Sequence, residues 1–231
     1  MAVGYTQWKV LNNQPIDKLE ANLWHVSGKM EQGIERKMVV ARRGDGDLVI
    51  FNPIALDEPG MAELEAFGRI AYLVAPNPYH RQDLSIWKQR YGQARVVAPR
   101  GARKAVSKGA PVDLVCDELP ADPQILLTHP RGLGDKEALL VVRHAVGQTV
   151  ATCDAVLNLV SGKVKFPMSI LLAPLDTPAT PRLIKWMMLK SKDAWSEHLA
   201  ELAGATTRLI PGHGAILSDG AAALAQVRAG L

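Results

Sequence analysis

The sequence predicts an α/β fold in which two β-sheets pack face to face with helices outside. Three observations carry this. Short β-rich runs open the chain and return after its middle; the middle alternates strand and helix patterns; the last part runs helix, strand, helix. Sheets buried under helices are the stable solution for such an order. The 231 residues suffice for one domain with a sizeable core, and no low-complexity linker divides them. A single domain over 1–231 is therefore expected.

The elements run in order along the chain. Asn22–Val26 reads as a strand. Met38–Ala41 and Leu48–Phe51 flank Gly44-Asp45-Gly46-Asp47, whose residues tolerate positive φ, and predict a hairpin. Gly60–Phe67 reads as a short helix, Ile70–Ala75 as a strand, and Asp83–Tyr91 as a helix capped by Asp83 or Ser85. Arg95–Ala98 is a strand and Ala102–Lys108 a basic helix. Strands return at Gln124–Thr128, Glu137–Arg143 and Thr149–Cys153. A helical pattern then runs from Pro181, a residue suited to a first turn, to Leu202. Thr207–Ile210 is the last strand, and Asp219–Ala229 closes the chain as a helix.

Composition narrows the class. Apolar residues at 48% and charged residues at 22% exclude wholesale disorder. Lys+Arg 27 against Asp+Glu 23 leaves +4, too small and too scattered to argue for nucleic acid. The apolar stretch near Ile170–Leu175 is far short of a membrane span, and the first residues lack a signal-peptide pattern. Cys116 and Cys153 make neither a disulfide framework nor a zinc-finger spacing. A reducing, cytoplasmic setting with no membrane partner is the expectation.

Six histidines are the first places to look for chemistry. His25 sits in a strand, where a hydrogen-bonded ring is the ordinary reading. His198, flanked by Glu197 and Glu201, reads as part of a solvated helix face. His144 ends a strand and His129 leaves one, both consistent with surface positions. His213 differs: glycines on both sides, after a strand, free the backbone and let the ring project toward a bound group. Asp154 leaves the strand TVATC, and His80 comes after YLVAPNPY just before a helix, stiffened by Pro76 and Pro78. Three donors that suit zinc thus leave strand ends.

Four pieces of sequence, in order, make the chain resemble a degenerate metallo-β-lactamase-fold protein. They are the hairpin ending LVIFNP, the turn AYLVAPNPYH before a helix and YGQARVVAP, the strand TVATCDAVLN, and TTRLIPGHG. The resemblance covers about residues 20–220 and implies an αββα sandwich with two facing mixed sheets. In that register His80 stands at the last histidine of the family's His-x-His-x-Asp-His turn. Tyr79 replaces its aspartate, Asn77 its second histidine and Ala75 its first. The family's middle histidine falls near Leu133, with His129 nearby; Asn52 and Cys153 replace the usual Asp and Gly. The resemblance implies that the first metal site is lost. The second keeps His80, Asp154 and His213 for one divalent metal, zinc, with iron or manganese as alternatives.

The resemblance therefore implies a metal-dependent hydrolase with a mononuclear site and an unknown small-molecule substrate. Tyr79 or His144 would supply a proton to the leaving group. The rival reading is a binding or scaffold protein that kept the fold and lost its metals. A nucleic-acid binder, through basic helices at 102–108 and 182–192, is disfavoured by sparse aromatic interleaving. Residues 163–203 read as a helical insertion, a lid or an interface. Its helix at 181–202, carrying Leu183, Trp186, Met187 and Lys190, offers a homodimer face.

Overall fold

A computed structural model describes residues 4–29 and 35–231. Strands β1 (Asp17–Glu20), β2 (Leu23–Lys29), β3 (Glu35–Arg42) and β4 (Asp47–Phe51) open the chain. Helices then alternate with strands: α1 (Glu58–Phe67), β5 (Arg69–Val74), α2 (Leu84–Arg90), β6 (Arg95–Ala98), α3 (Arg103–Val106) and β7 (Leu114–Val115). These seven strands form one sheet in chain order. Its first four pair antiparallel and its last four parallel, so it is mixed.

The second sheet holds β8 (Ile125–Thr128), β9 (Leu139–His144), β10 (Gly147–Ala151) and β11 (Thr206–Ile210), in the order β11-β10-β9-β8. Its one parallel pair is β10–β11. Between those two strands in the chain lie α4 (Met168–Leu171), α5 (Arg182–Met188) and α6 (Lys192–Ala203); α7 (Gly220–Ala229) ends the chain.

Strand periodicity sorts the side chains into layers. Val39, Ala41, Val49, Phe51 and Val74 of the large sheet meet Leu127, Leu140, Val142 and Ile210 of the small one between the sheets. Met38, Val40, Leu48, Ile50 and Leu73 point the other way, onto Leu64 of α1 and Trp87 of α2. Val141, Val150 and Leu209 face Trp195 and Leu199 of α6 and Leu224 of α7. Strands covered on both faces explain the near-continuous apolar runs of β3 to β5. The αββα sandwich of two mixed sheets is thus the fold.

Several elements differ from the sequence reading. The helical pattern over 181–202 is two helices, because Ser191 takes an extended conformation and its side chain accepts the Ala194 N–H, starting α6 afresh. The basic helix at 102–108 shrinks to a 3₁₀ turn plus the single turn α3. Helix α1 begins two residues early, capped by Asp57. The hairpin turn at Gly44–Asp47 is present, with Gly46 at φ 85°. The edge strands β1 and β7 are additions that no pattern in the sequence announces.

Candidate metal centre

The loops that leave the carboxyl ends of parallel strands meet at one edge of the sandwich. Ala151 and Ile210 are partners in the parallel β10–β11 pair. Asp154 and His213 each lie three residues further on and so emerge side by side. The approach is close: the Gly212 N–H donates to the Cys153 carbonyl at 3.2 Å, and a Cβ on Gly212 would stand 2.6 Å from that oxygen. Gly214, at φ 92°, abuts Asn158. The two glycines around His213 are therefore required by packing and by backbone conformation.

His80 arrives from the other sheet, on the loop after β5. Asn77 shapes that loop: its Oδ1 accepts the N–H groups of Tyr79 at 2.9 Å and His80 at 3.0 Å, an Asx turn. The His80 Nε2 lies 3.2 Å from His213 Nε2 and 3.3 Å from Asp154 Oδ1. The His213 Nε2 lies 3.4 Å from the same oxygen. The three atoms form a nearly equilateral triangle in which both rings are buried.

The tautomer of His213 is fixed from behind. Its Nδ1–H donates to the Glu35 carbonyl, which leaves the Nε2 lone pair facing inward. Three atoms able to offer a lone pair thus converge, an arrangement that calls for a proton or a metal cation at its centre. Donors held about 2.0–2.1 Å from a tetrahedral zinc stand about 3.3 Å apart, so the donor set fits one such ion. The Cys153 Sγ lies within 4.8 Å of donor atoms of His80 and Asp154.

The surroundings set the charges. Burial works to raise the Asp154 carboxyl, but His80 and His213 together hold it well below the usual carboxylate range. Burial works to lower His213, and the hydrogen bond and charge of Asp154 override it, so its pKa is raised. Behind them lies Glu137, fully buried, whose Oε1 accepts the N–H groups of Ala155 at 2.6 Å and Cys153 at 3.2 Å. Burial, then the charge of Asp154, pushes Glu137 up to about 8, so it holds a proton at neutral pH. Burial, then Asp154 and Glu137, raises the Cys153 thiol well above its ordinary value.

Where the sequence resemblance would put a first metal site, the side chains are of another kind. Asn77 Nδ2 donates to Asp154 Oδ2 at 2.7 Å, and an N–H donor cannot ligate a cation. Leu133, near which the resemblance puts a histidine, packs in the outer core beside Trp195. The Asn77 Nδ2 also donates to Glu137 Oε2 at 3.5 Å. Sequence reasoning missed Glu137; a lone acid at the head of ALLVV was its only signal.

The remaining candidates lie elsewhere. Tyr79 adjoins His80 but its side chain is turned to solvent, 52% exposed. His144 pairs with Gly147 across the far end of the β9–β10 hairpin, and its Nε2 meets Thr207 Oγ1 at 3.2 Å. Its place at the opposite strand ends from Asp154 removes it from the proton-donor reading. His129 is half-buried, 3.7 Å from Asp117, and does not swing into the site. His25 is hydrogen-bonded to Asp17 at 3.0 Å in β2. His198 is not on a solvated face: it is buried, and its Nδ1 accepts the Arg131 N–H at 2.9 Å. Asn52, at φ 57°, donates to the Lys37 carbonyl at 2.7 Å.

No family model matches the sequence, and no curated protein matches it. Solved structures do. The metallo-β-lactamase DIM-1 is 13% identical, with 96% of this chain aligned to 97% of that one and a TM-score of 0.63. A metallo-β-lactamase from Pontibacter korlensis is 12% identical over 91% of this chain and 95% of its own, at a TM-score of 0.60. The metallo-β-lactamase FIM-1 from Pseudomonas aeruginosa, in a mono-zinc form, is 12% identical over 96% and 97%, at 0.59.

Proposed function

For a chain with the metallo-β-lactamase fold, we propose a metal-dependent hydrolase whose single divalent ion is held by His80, Asp154 and His213. The observation that carries this reading is the triangle of Nε2, Nε2 and Oδ1 atoms at 3.2, 3.3 and 3.4 Å. Three protein donors leave an open position, the count a catalytic zinc requires. The mono-zinc form of FIM-1 supports one metal being enough to occupy this fold.

When bound, such an ion supplies Lewis acidity and acidifies water at neutral pH. The chain's own residues do the rest. Glu35 fixes the His213 tautomer, and Asn77 aims the Asp154 carboxylate. Glu137 braces the Cys153–Ala155 turn by accepting both N–H groups. The Lys37 ammonium, buried, donates to the Gly214 carbonyl and holds the loop beyond His213 in place. Tyr79 contributes its backbone N–H to the turn that presents His80, and its side chain faces solvent.

A second reading is favoured by Asn77 and Leu133, which fill the positions of the absent first site with a donor and an apolar side chain. In it the chain is a binding or scaffold protein that no longer needs metal. Elemental analysis after reconstitution with zinc, iron(II) or manganese separates the two. About one metal per chain, lost in His213→Ala, with metal-dependent turnover of an ester, thioester or phosphodiester panel, supports the hydrolase. A wild-type chain that takes up no metal sinks it.

A further inference from the structure

We infer that the excursion between Val160 and Lys192 is a docking face for an anionic lipid surface. The chain leaves the sandwich at Asn158, whose N–H donates to the His213 carbonyl at 3.1 Å, and returns at Ala179, which pairs with Leu157. Between those anchors and on α5, just after the return, large apolar side chains face water. Phe166 is 79% exposed, Trp186 84%, Ile170 52% and Leu171 40%. Helix α4 packs on α5, and the Arg182 N–H donates to the Ala173 carbonyl at 2.9 Å, so the two halves of the patch are joined. Single exposed apolar residues are ordinary; a cluster from one short segment marks a surface with a partner.

Charge says which partner. Lys163, Lys165, Arg182, Lys185 and Lys192 are interspersed in sequence with the apolar residues. The Lys185 ammonium donates to the Gly230 carbonyl at 2.6 Å, and no carboxylate pairs with any of the five among the described residues. Asp176 is the only acid from 160 to 192, and the Ser161 N–H already engages its carboxylate at 3.0 Å. Burial lowers the Lys185 pKa, and the nearby Lys192 and Arg182 add to that, so cations crowd one another on this face. A second copy of the chain would bring two such uncompensated sets together. A nucleic acid would match the cations and leave Ile170 and Leu171 without a partner. An anionic bilayer meets both features: headgroups face the lysines, and the acyl boundary takes Phe166, Trp186 and the aliphatic side chains. The lack, among the described residues, of any helix long and apolar enough to cross a membrane is consistent with attachment from one side.

Co-sedimentation of the purified full chain with vesicles tests this, and it needs neither metal nor turnover. Phosphatidylcholine vesicles are compared with vesicles containing about one-third phosphatidylglycerol. The expected result is sedimentation with the anionic vesicles only, weakened as salt is raised from about 0.05 to about 0.5 M. Emission from the exposed Trp186 should shift to the blue, whereas Trp87 and Trp195 are already buried. The double variants Phe166→Ser/Trp186→Ser and Lys163→Glu/Lys165→Glu, with unchanged Tm, should each lower partitioning at least about tenfold. No binding to anionic vesicles overturns the inference, as does binding that both variants retain. A solution dimer dissociated by Trp186→Ser, or retention on single-stranded nucleic acid in place of vesicles, overturns it equally.

Discussion

The Asn77 side chain donates to Asp154 Oδ2 at 2.7 Å while its Oδ1 accepts from the backbone of Tyr79 and His80. One amide therefore orients two donor segments that come from different sheets. Removing it in Asn77→Ala should weaken metal binding about 10–100-fold and cost about 1–2 kcal/mol of stability. Chelator competition and denaturant titration read the two effects separately. Asn77→Asp should keep the turn acceptor while losing the N–H contact to Asp154, which separates the two contributions. Metal affinity unchanged in both variants would show that Asp154 is held without this contact.

The β10–β11 exit has no room for a methyl group. A Cβ at Gly212 would meet the Cys153 carbonyl at 2.6 Å, and one at Gly214 the Asn158 carbonyl at 1.7 Å, with φ at 92°. Gly212→Ala and Gly214→Ala should each destabilise the fold by about 2 kcal/mol or more, measured by urea unfolding. Gly162→Ala, where nothing lies within 4 Å, is the control and should be near neutral.

A buried ion pair anchors the loop that carries His80. Asp83, 1% exposed, accepts from the Arg36 guanidinium and from the Ala55 N–H at 3.0 Å. Asp83→Ala leaves a guanidinium in the core and should cost about 3–5 kcal/mol. Adding Arg36→Met should recover part of that loss, so a double-mutant cycle over these positions should be strongly non-additive.

His198 gives the fold a pH response away from the donor triangle. Burial, then Arg131, lowers its pKa to about 4, while its unfolded value is about 6.5. Between those values the unfolded chain binds the extra proton, so stability is full above about 6.5 and falls as pH drops toward about 4. The loss should be about 2 kcal/mol, allowing for partial solvent screening. His198→Asn keeps an acceptor for the Arg131 N–H and has no proton to take up. Thermal melts from pH 7 to 4.5 should therefore slope less in that variant.

The sandwich was legible because strands buried on both faces leave long apolar runs, and because Gly44–Asp47 and Pro211–Gly214 mark strand ends. His80, Asp154 and His213 were legible for the same reason: each comes just after such a run. The break at Leu189–Ser191 was obscured because neither Gly nor Pro marks it; Ser191 with Asp193 two residues on was the only trace. Glu137 was hidden because an acid ahead of an apolar run reads as solvent-facing, and only the tertiary fold brings three N–H donors to it. His198 was misread for the converse reason. Its flanking acids describe the helix's outer side, while burial depends on the neighbouring Trp195 and the 129–134 loop.

The parallel pairing of Ala151 with Ile210 works as a fixed jaw. It sets the Asp154–His213 separation through one sheet's ladder, and His80 is the movable jaw, carried by the opposite sheet. Any change in how the two sheets slide on each other must then show up at His80 first. Hollowing the layer between them, as in Phe51→Ala or Leu140→Ala, should therefore loosen a bound ion without touching any atom that grips it.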